Sequence, residues 1–343
     1  MSGLRLFTLL LLFALYCLAQ EIVVNPYEGI DWNNVSQHKA NLHTHTTASD
    51  GKFHPNQIVD IYHKLGYTIL SITDHDIMNK NTNRITFPWE KFSEMVTSKG
   101  EKGLYENRCS ESLGMLAIIG NEISDHHHIG GYFNDFPGSQ EIETSLNAIT
   151  EKKGLAIIFH PGRYKHQYKV DWYIDLLKKY PVTVGMEVYN QGNRYPDDCT
   201  LWDSTLSIMM PERIIWGFSG DDAHTKNHIG KNWNVFLLEK LTLQNFRKAI
   251  EKGNFYFVYC PDGENGKPAR IKRLDIDKVN GVIRIEAIDC ERIEWISQGK
   301  IVATGNEFKY KNRNDVKGYL RATLYGIDGK SITQIQPFGF SKN

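Results

Sequence analysis

The feature that most constrains this chain is a rhythm. Between residues 38 and 258, short apolar runs alternate with helical patterns. Residues 39–43 read as a first strand. Residues 55–66 read as a helix, with Ile58, Ile61, Tyr62 and Leu65 spaced i, i+3, i+4 and i+7. Further strands are expected over 67–73, 115–119, 155–159, 182–188 and 214–218. Helices fall between them. One carries Ile142, Leu146 and Ile149 and stops at Gly154, one spans 172–180, and one is capped by Thr242 and stopped by Gly253. A βαβα order of this kind lays parallel strands under helices, as a barrel or an open α/β sheet.

Five of these strands deliver metal-type residues at their C-terminal ends. His43 and His45 lie two apart, so a strand points both to one face; Asp50 follows in the next loop. His75 comes directly after 67–73, beside Asp74. Glu122 follows 115–119, with His126, His127 and His128 just beyond. His160 ends 155–159. Asp222 and His224 follow 214–218. In a parallel barrel these ends converge on one face, where active sites form. Imidazole and carboxylate are ligands for Zn, Mn or Fe. Blander readings stand beside this one. A lone His-x-His usually packs, and the triple histidine could be a solvated loop with one or two binding members. His38, His63, His166 and His228 have no strand-end position and read as bystanders; His54, before Pro55, reads as structural. Asp74 reads as a hydrogen-bond acceptor behind the ligands. Asp221 stands between a supporting base and an extra ligand. Arg163, in His-Pro-Gly-Arg, suits an anionic substrate group. Asp221 and Arg163 are therefore the candidate catalytic or substrate-binding residues.

The last 80 or so residues change character. Ile283 and Ile285 alternate with Arg284 and Glu286, and Leu320, Ala322 and Leu324 share one face of 319–325. Asn280-Gly281 and Asp328-Gly329 are hairpin turns. Residues 265–343 thus read as a small antiparallel β module, sandwich-like. Residues 76–114 form a long polar connection, a candidate lid. The chain of 343 residues can bury a sizeable core. Its 40 Lys and Arg balance 40 Asp and Glu, which argues against a nucleic-acid footprint. Residues 1–20 (MSGLRLFTLLLLFALYCLAQ) have the pattern of a secretory signal peptide, with Arg5 ahead of an apolar run. A membrane anchor would need about 20 apolar residues, and a lipidated Cys17 would want a smaller neighbour than Tyr16. The expected location is exported, periplasmic or secreted, with no membrane span after cleavage. Four cysteines then remain: Cys109, Cys199, Cys260 and Cys290. Export permits disulfides, but no pairing is selected and free thiols are equally compatible.

The motifs NLHTHTTASDG, SITDHD, GNE with HHHIGGYF, FHPGR and GDDAH, in that order, resemble the PHP (polymerase and histidinol phosphatase) family over roughly residues 38–258. The resemblance implies a distorted seven-stranded β/α (TIM-like) barrel carrying a trinuclear metal site. It implies nine ligands: His43, His45, Asp50, His75, Glu122, His128, His160, Asp222 and His224. His43, His45, Glu122 and Asp222 would hold one ion. Glu122 would bridge to a second held by His128 and His160, and Asp50, His75 and His224 would hold the third. His128 is chosen within the triplet because IGGYF follows it. GMEVYN, with Glu187 and Asn190, also looks like a family strand. With a terminal β module, the chain looks similar to an exported branch that includes carbamate-ester hydrolases. Asp221 stands where the family often has Ser or Thr.

These readings predict metal-dependent hydrolysis by a hydroxide bridging two ions. Six neutral imidazoles and three carboxylates leave up to three divalent ions with excess positive charge, which favours an anionic small molecule. A phosphoester is the first expectation. Carboxyl-ester, amide or carbamate hydrolysis is the second, and a non-catalytic metal-bearing binding module the third.

Overall fold

The computed structural model describes residues 20–75 and 108–341. The expected leader up to residue 19 and the 76–107 part of the expected lid lie outside the described residues. The first half contains β1 (Ile22–Val24), β2 (Ser36–Asn41), α1 (Pro55–Lys64), β3 (Ile69–Leu70), β4 (Leu116–Ala117), β5 (Gly120–Ile123), β6 (Ile129–Tyr132), α2 (Ile142–Glu151), β7 (Leu155–Ile158) and α3 (Val170–Lys179). Then follow β8 (Thr183–Asn190), α4 (Asp197–Met209), β9 (Trp216–Gly220), β10 (Asn232–Leu238), α5 (Leu243–Lys252) and β11 (Phe255–Tyr259). The rest is all strand: β12 (Arg270–Asp277), β13 (Val282–Ile288), β14 (Cys290–Ser297), β15 (Lys300–Thr304), β16 (Glu307–Lys309), β17 (Tyr319–Gly326), β18 (Ile332–Ile335) and β19 (Phe338–Phe340).

The fold is mixed α/β, and its sheets do not close. An 11-stranded sheet runs β1-β19-β17-β18-β11-β10-β2-β3-β4, with β14 and β15 branching from β17; a 5-stranded sheet runs β5-β6-β7-β8-β9. The expected distorted seven-stranded barrel is thus not seen as a closed ring; a third sheet runs β12-β13-β16, and the first two stay open. They meet at two isolated parallel bridges, Thr44 with Ala223 and His75 with Glu122. The ladder breaks for local reasons. β3 and β4 are only two residues long, and β5 turns back on β6 as an antiparallel hairpin. β6 runs antiparallel to β7 as well, while β2-β3-β4 and β7-β8-β9 are parallel.

Helix ends follow the sequence signals. Pro55 opens α1, where its missing N–H costs nothing. Thr242 accepts the Asn245 N–H at 3.2 Å at the start of α5. Gly253 ends α5 in the left-handed region, φ 74°, with the Trp216 indole so close that a Cβ would sit 2.8 Å from it. Helix α4 has no counterpart in the sequence reading. Its buried face mixes Trp202, Leu206 and Met209 with Asp198 and Asp203, which blurs the apolar period.

Part of the terminal region is continuous with the first half, while β12-β13-β16 form a 3-stranded sheet of their own. β18 pairs with β11, extending the 11-stranded sheet directly, and one apolar cluster runs from Ile58 and Tyr62 of α1 to Leu320 and Phe338. β17 is buried on both faces. Leu320, Ala322 and Leu324 belong to that cluster, while Tyr319 and Arg321 meet Asp203 of α4. There Arg321 donates to Asp203 from Nε (2.8 Å) and Nη2 (2.6 Å), and the Tyr319 hydroxyl donates to the same carboxylate at 2.7 Å. Cys109, Cys199, Cys260 and Cys290 are free thiols.

Removing one side of this buried pair strands the other. Arg321→Ala should cost about 3–5 kcal/mol in urea unfolding, whereas the double Arg321→Leu, Asp203→Leu exchange should recover most of it. Equal losses for the single and double variants would refute that account.

Candidate metal centre

The two inter-sheet bridges sit at the site and organise it. Beyond β2 the chain keeps its strand direction through Thr44, which bridges Ala223, so His43 and His45 fall on one side. The Asn41 side chain accepts the His43 N–H at 2.9 Å and fixes that path. His75 bridges Glu122, which lies inside β5. His128 ends the turn between β5 and β6, and His160 follows β7. Asp222 follows β9. His160 has φ 29° and Asp222 φ 45°, uncommon for non-glycine residues. The backbone is thus held in sparsely populated conformations at two of the nine positions, a pattern concentrated at functional sites.

All nine side chains converge, and their donor atoms fall into three groups: His43, His45, Glu122 and Asp222; Glu122, His128 and His160; and His45, Asp50, His75 and His224. Glu122 Oε2 stands 3.0–3.4 Å from His45, His43 and His75. Its Oε1 stands 2.6 Å from His128 and 3.2 Å from His160. Asp222 Oδ1 lies 3.2–3.4 Å from His43, His45 and His224. His224 Nε2 lies 3.1 Å from Asp50 Oδ2.

The donor set fits divalent ions. His45 Nε2, His75 Nδ1 and Asp222 Oδ1 are buried and have no hydrogen-bond partner, although opposing nitrogens and oxygens stand close by. Ligands at 2.0–2.2 Å from one ion stand roughly 3.0–3.5 Å apart, the spacing seen here. Electrostatics agree. Burial would raise Glu122 and Asp222, but the surrounding imidazoles hold both well below the usual carboxylate range. Burial pushes the His75 imidazole down to about 4. It would lower His224 too, but Asp222 and Asp50 raise that group to about 10.

A shell of other residues holds the ligands. Glu187, a buried carboxylate on β8, accepts from His43 Nδ1 at 2.9 Å and from the His160 N–H at 2.9 Å. A carboxylate on the far ring nitrogen sets the tautomer and orientation of a ligating histidine. The sequence signal for it was a lone acid inside the apolar strand Gly-Met-Glu-Val-Tyr-Asn. Phe159 stacks on the His43 ring, centroids 3.7 Å apart. Asp74 accepts from Thr46 N (2.7 Å), the Thr46 hydroxyl (2.6 Å) and the Ser49 hydroxyl (2.6 Å), tying down the loop that carries Asp50.

Asp221 is not where a base or substrate contact would be. It is fully buried, and its two oxygens accept from the Tyr62 hydroxyl and from the N–H groups of Gly230, Lys231 and Asn232. It anchors the chain after His224 instead, while burial raises its carboxyl to about 6 against those bonds. Among the triplet, His127 is buried in an aromatic nest and bonds the Tyr173 hydroxyl at 2.9 Å, and His126 bonds Ser145 at 3.0 Å. His54 precedes α1, and the Thr47 hydroxyl lies 2.8 Å from its Nδ1. The metal-type groups open into a cleft of about 670 Å³ whose wall includes Arg163, Arg194, Tyr195 and His228. His228, which lacks a strand-end position, thus borders the site after all. Arg194 and Tyr195 were not singled out in the sequence; the loop after β8 brings them in.

No protein-family model and no curated protein matches the chain. Among solved structures, it resembles a two-domain protein from Bacteroides vulgatus containing a predicted PHP-like metal-dependent phosphoesterase. The identity is 15%, the TM-score 0.53, and the match covers 94% of this chain and 90% of that one. The chain shares that protein's fold. Lesser similarities reach the lesion-specific endonuclease PfuEndoQ from Pyrococcus furiosus (18% identity, 63% of this chain and 56% of that one, TM-score 0.42). They also reach an amidohydrolase from Chromobacterium violaceum (16% identity, 55% of this chain and 88% of that one, TM-score 0.37).

The triplet can be dissected by metal analysis. His128→Ala should lower bound metal by about one equivalent, while His126→Ala and His127→Phe should leave the count unchanged. A loss on His126→Ala with none on His128→Ala would reverse the assignment.

Proposed function

We propose that this chain is an exported member of the PHP family, a phosphoesterase acting on a small anionic substrate at a trinuclear metal site. The observation that carries the reading is the convergence of nine ligand-type side chains into three groups that share Glu122 and His45. Zn, Mn or Fe held there would acidify water and neutralise charge on a phosphoryl oxygen.

The chain's own residues supply binding and order. Arg163 and Arg194 face the cleft from the loops after β7 and β8, and a planar guanidinium matches two phosphate oxygens. Arg194 is braced by the Gln191 side chain, which accepts from it at 2.6 Å. Glu187 keeps the His43 Nδ1 proton in place, so Nε2 faces the cluster. No serine or cysteine nucleophile is needed. Export is supported by the leader pattern, and cleavage near residue 20 would leave β1 intact at the new start. The intact mass of protein recovered from the exported fraction checks this; retention of residues 1–20 would refute it.

Metal-loaded protein should release nitrophenol from a phosphate ester, and chelation or Glu122→Gln should abolish release. Carboxyl-ester cleavage without any phosphoester cleavage would replace this reading with a carboxyl-ester or carbamate hydrolase. Arg163→Ala should lower kcat/KM on the phosphoester by roughly 10–100-fold, the worth of a charge-assisted hydrogen bond, with bound metal unchanged. An unaltered kcat/KM would remove Arg163 from substrate binding.

A further inference from the structure

A second cavity, of about 700 Å³, lies on the other side of the loop that carries His224. Its floor is apolar: Phe53, Ile61, Leu65 and Ile229 leave part of their surface open there. Lys64, Lys226 and Lys231 stand around it, and among the described residues none has an ion-pair partner. Of the two acids on the rim, Asp262 is engaged by Lys330 at 2.9 Å. Apolar floor and unpaired ammonium groups together match an organic anion with an apolar body.

The walls of this cavity are the backs of two ligand loops. Residues 224–231 present Lys226, Asn227 and Ile229 to it, while His224 and His228 of the same stretch line the metal cleft. The loop carrying Asp50 closes at Phe53, whose carbonyl accepts the Thr47 N–H at 2.9 Å. The two loops are bonded to each other, Lys52 N–H to the His224 carbonyl at 2.8 Å. Asp50 and His224 are also the most exposed members of the metal-type cluster, with side chains 38% and 23% accessible. The group formed by His45, Asp50, His75 and His224 is thus the one whose geometry this cavity can alter.

We propose that this cavity binds a free medium-chain carboxylate, and that its occupancy is linked to metal binding by the Asp50–His224 group. The carboxylate pairs with the lysines, the chain lies over Phe53 and Ile229, and the two loops are stiffened together. The second half rests on the metal-centre reading; the first does not. Linkage is reciprocal, so whatever factor the acid exerts on metal affinity, metal exerts on the acid.

Isothermal titration of the full chain with decanoate tests both halves. We expect saturable binding that weakens at least tenfold in the Lys64→Glu, Lys226→Glu double variant and persists in His43→Ala. Stripping metal should shift the decanoate affinity by about fivefold or more, and His224→Ala should remove that shift while keeping the binding. No binding, or binding indifferent to the lysine reversals, overturns the site. Lysine-dependent binding with no shift on metal removal keeps the site and overturns the linkage. A chain that takes up no metal yet still binds decanoate through the lysines defeats the metal-centre reading alone.

Discussion

Glu122 stands within 3.4 Å of five imidazoles: His43, His45, His75, His128 and His160. These come from four separate stretches of chain. A buried carboxylate can be so surrounded only if both sheets curve onto the same point. The bridge between His75 and Glu122 is one of the two places where the sheets are stitched, so a joint of the fold and the centre of the site coincide. This explains why the ladder need not close. The hydrogen bonds missing from a seven-stranded ring fall where backbone gives way to ligand side chains.

Strain and anchoring then follow. His160 and Asp222 take positive φ, and each is pinned by carboxylate bonds nearby: Glu187 holds the His160 N–H, and Asp221 holds residues 230–232 behind Asp222. The excess of buried acid is therefore divided by task. Glu122, Asp222 and Asp50 face the potential ions, whereas Glu187, Asp74 and Asp221 are spent on N–H, O–H and imidazole donors. A fully buried Asp221 with four donors supports the chain behind Asp222, which is the supporting role its position had left open beside that of an extra ligand.

What could be read in advance was whatever obeys a local rule. Strand-end placement found the clusters at five strand ends because a strand's direction fixes where its next side chains go, while the choice of His128 within the triplet came from the family resemblance. Pro55, Thr242 and Gly253 marked helix ends for the same reason. Long-range choices were not legible. Alternation in residues 319–325 put Leu320, Ala322 and Leu324 on one face but gave no partner for Arg321, which meets Asp203 more than 100 residues away. The same contact hid α4, whose buried Asp198 and Asp203 break the apolar period. The hairpin β5-β6 escaped because Gly120, Gly130 and Gly131 carry little strand signal; a Cβ at Gly130 would come 2.3 Å from the Phe159 ring. Glu187 looked like one acid in an apolar run, and only its distance to His43 gives it a task.

The continuity of the terminal strands with the 11-stranded sheet changes how the site should be regarded. Gln336 brackets Gly217 on β9 through both its amide atoms, at 2.9 and 2.8 Å, and β18 lies against β11, the neighbour of β10 and through it of β2. β2 and β9 are the strands that lead into His43, His45 and Asp222. The terminal strands therefore brace the backbones that lead to His43, His45 and Asp222. Such a brace can stiffen these backbones without entering the cleft, whose wall includes residues of the loops after β7 and β8. Arg163 and Arg194 lie on those loops, clear of the apolar core, and can change without disturbing Glu122.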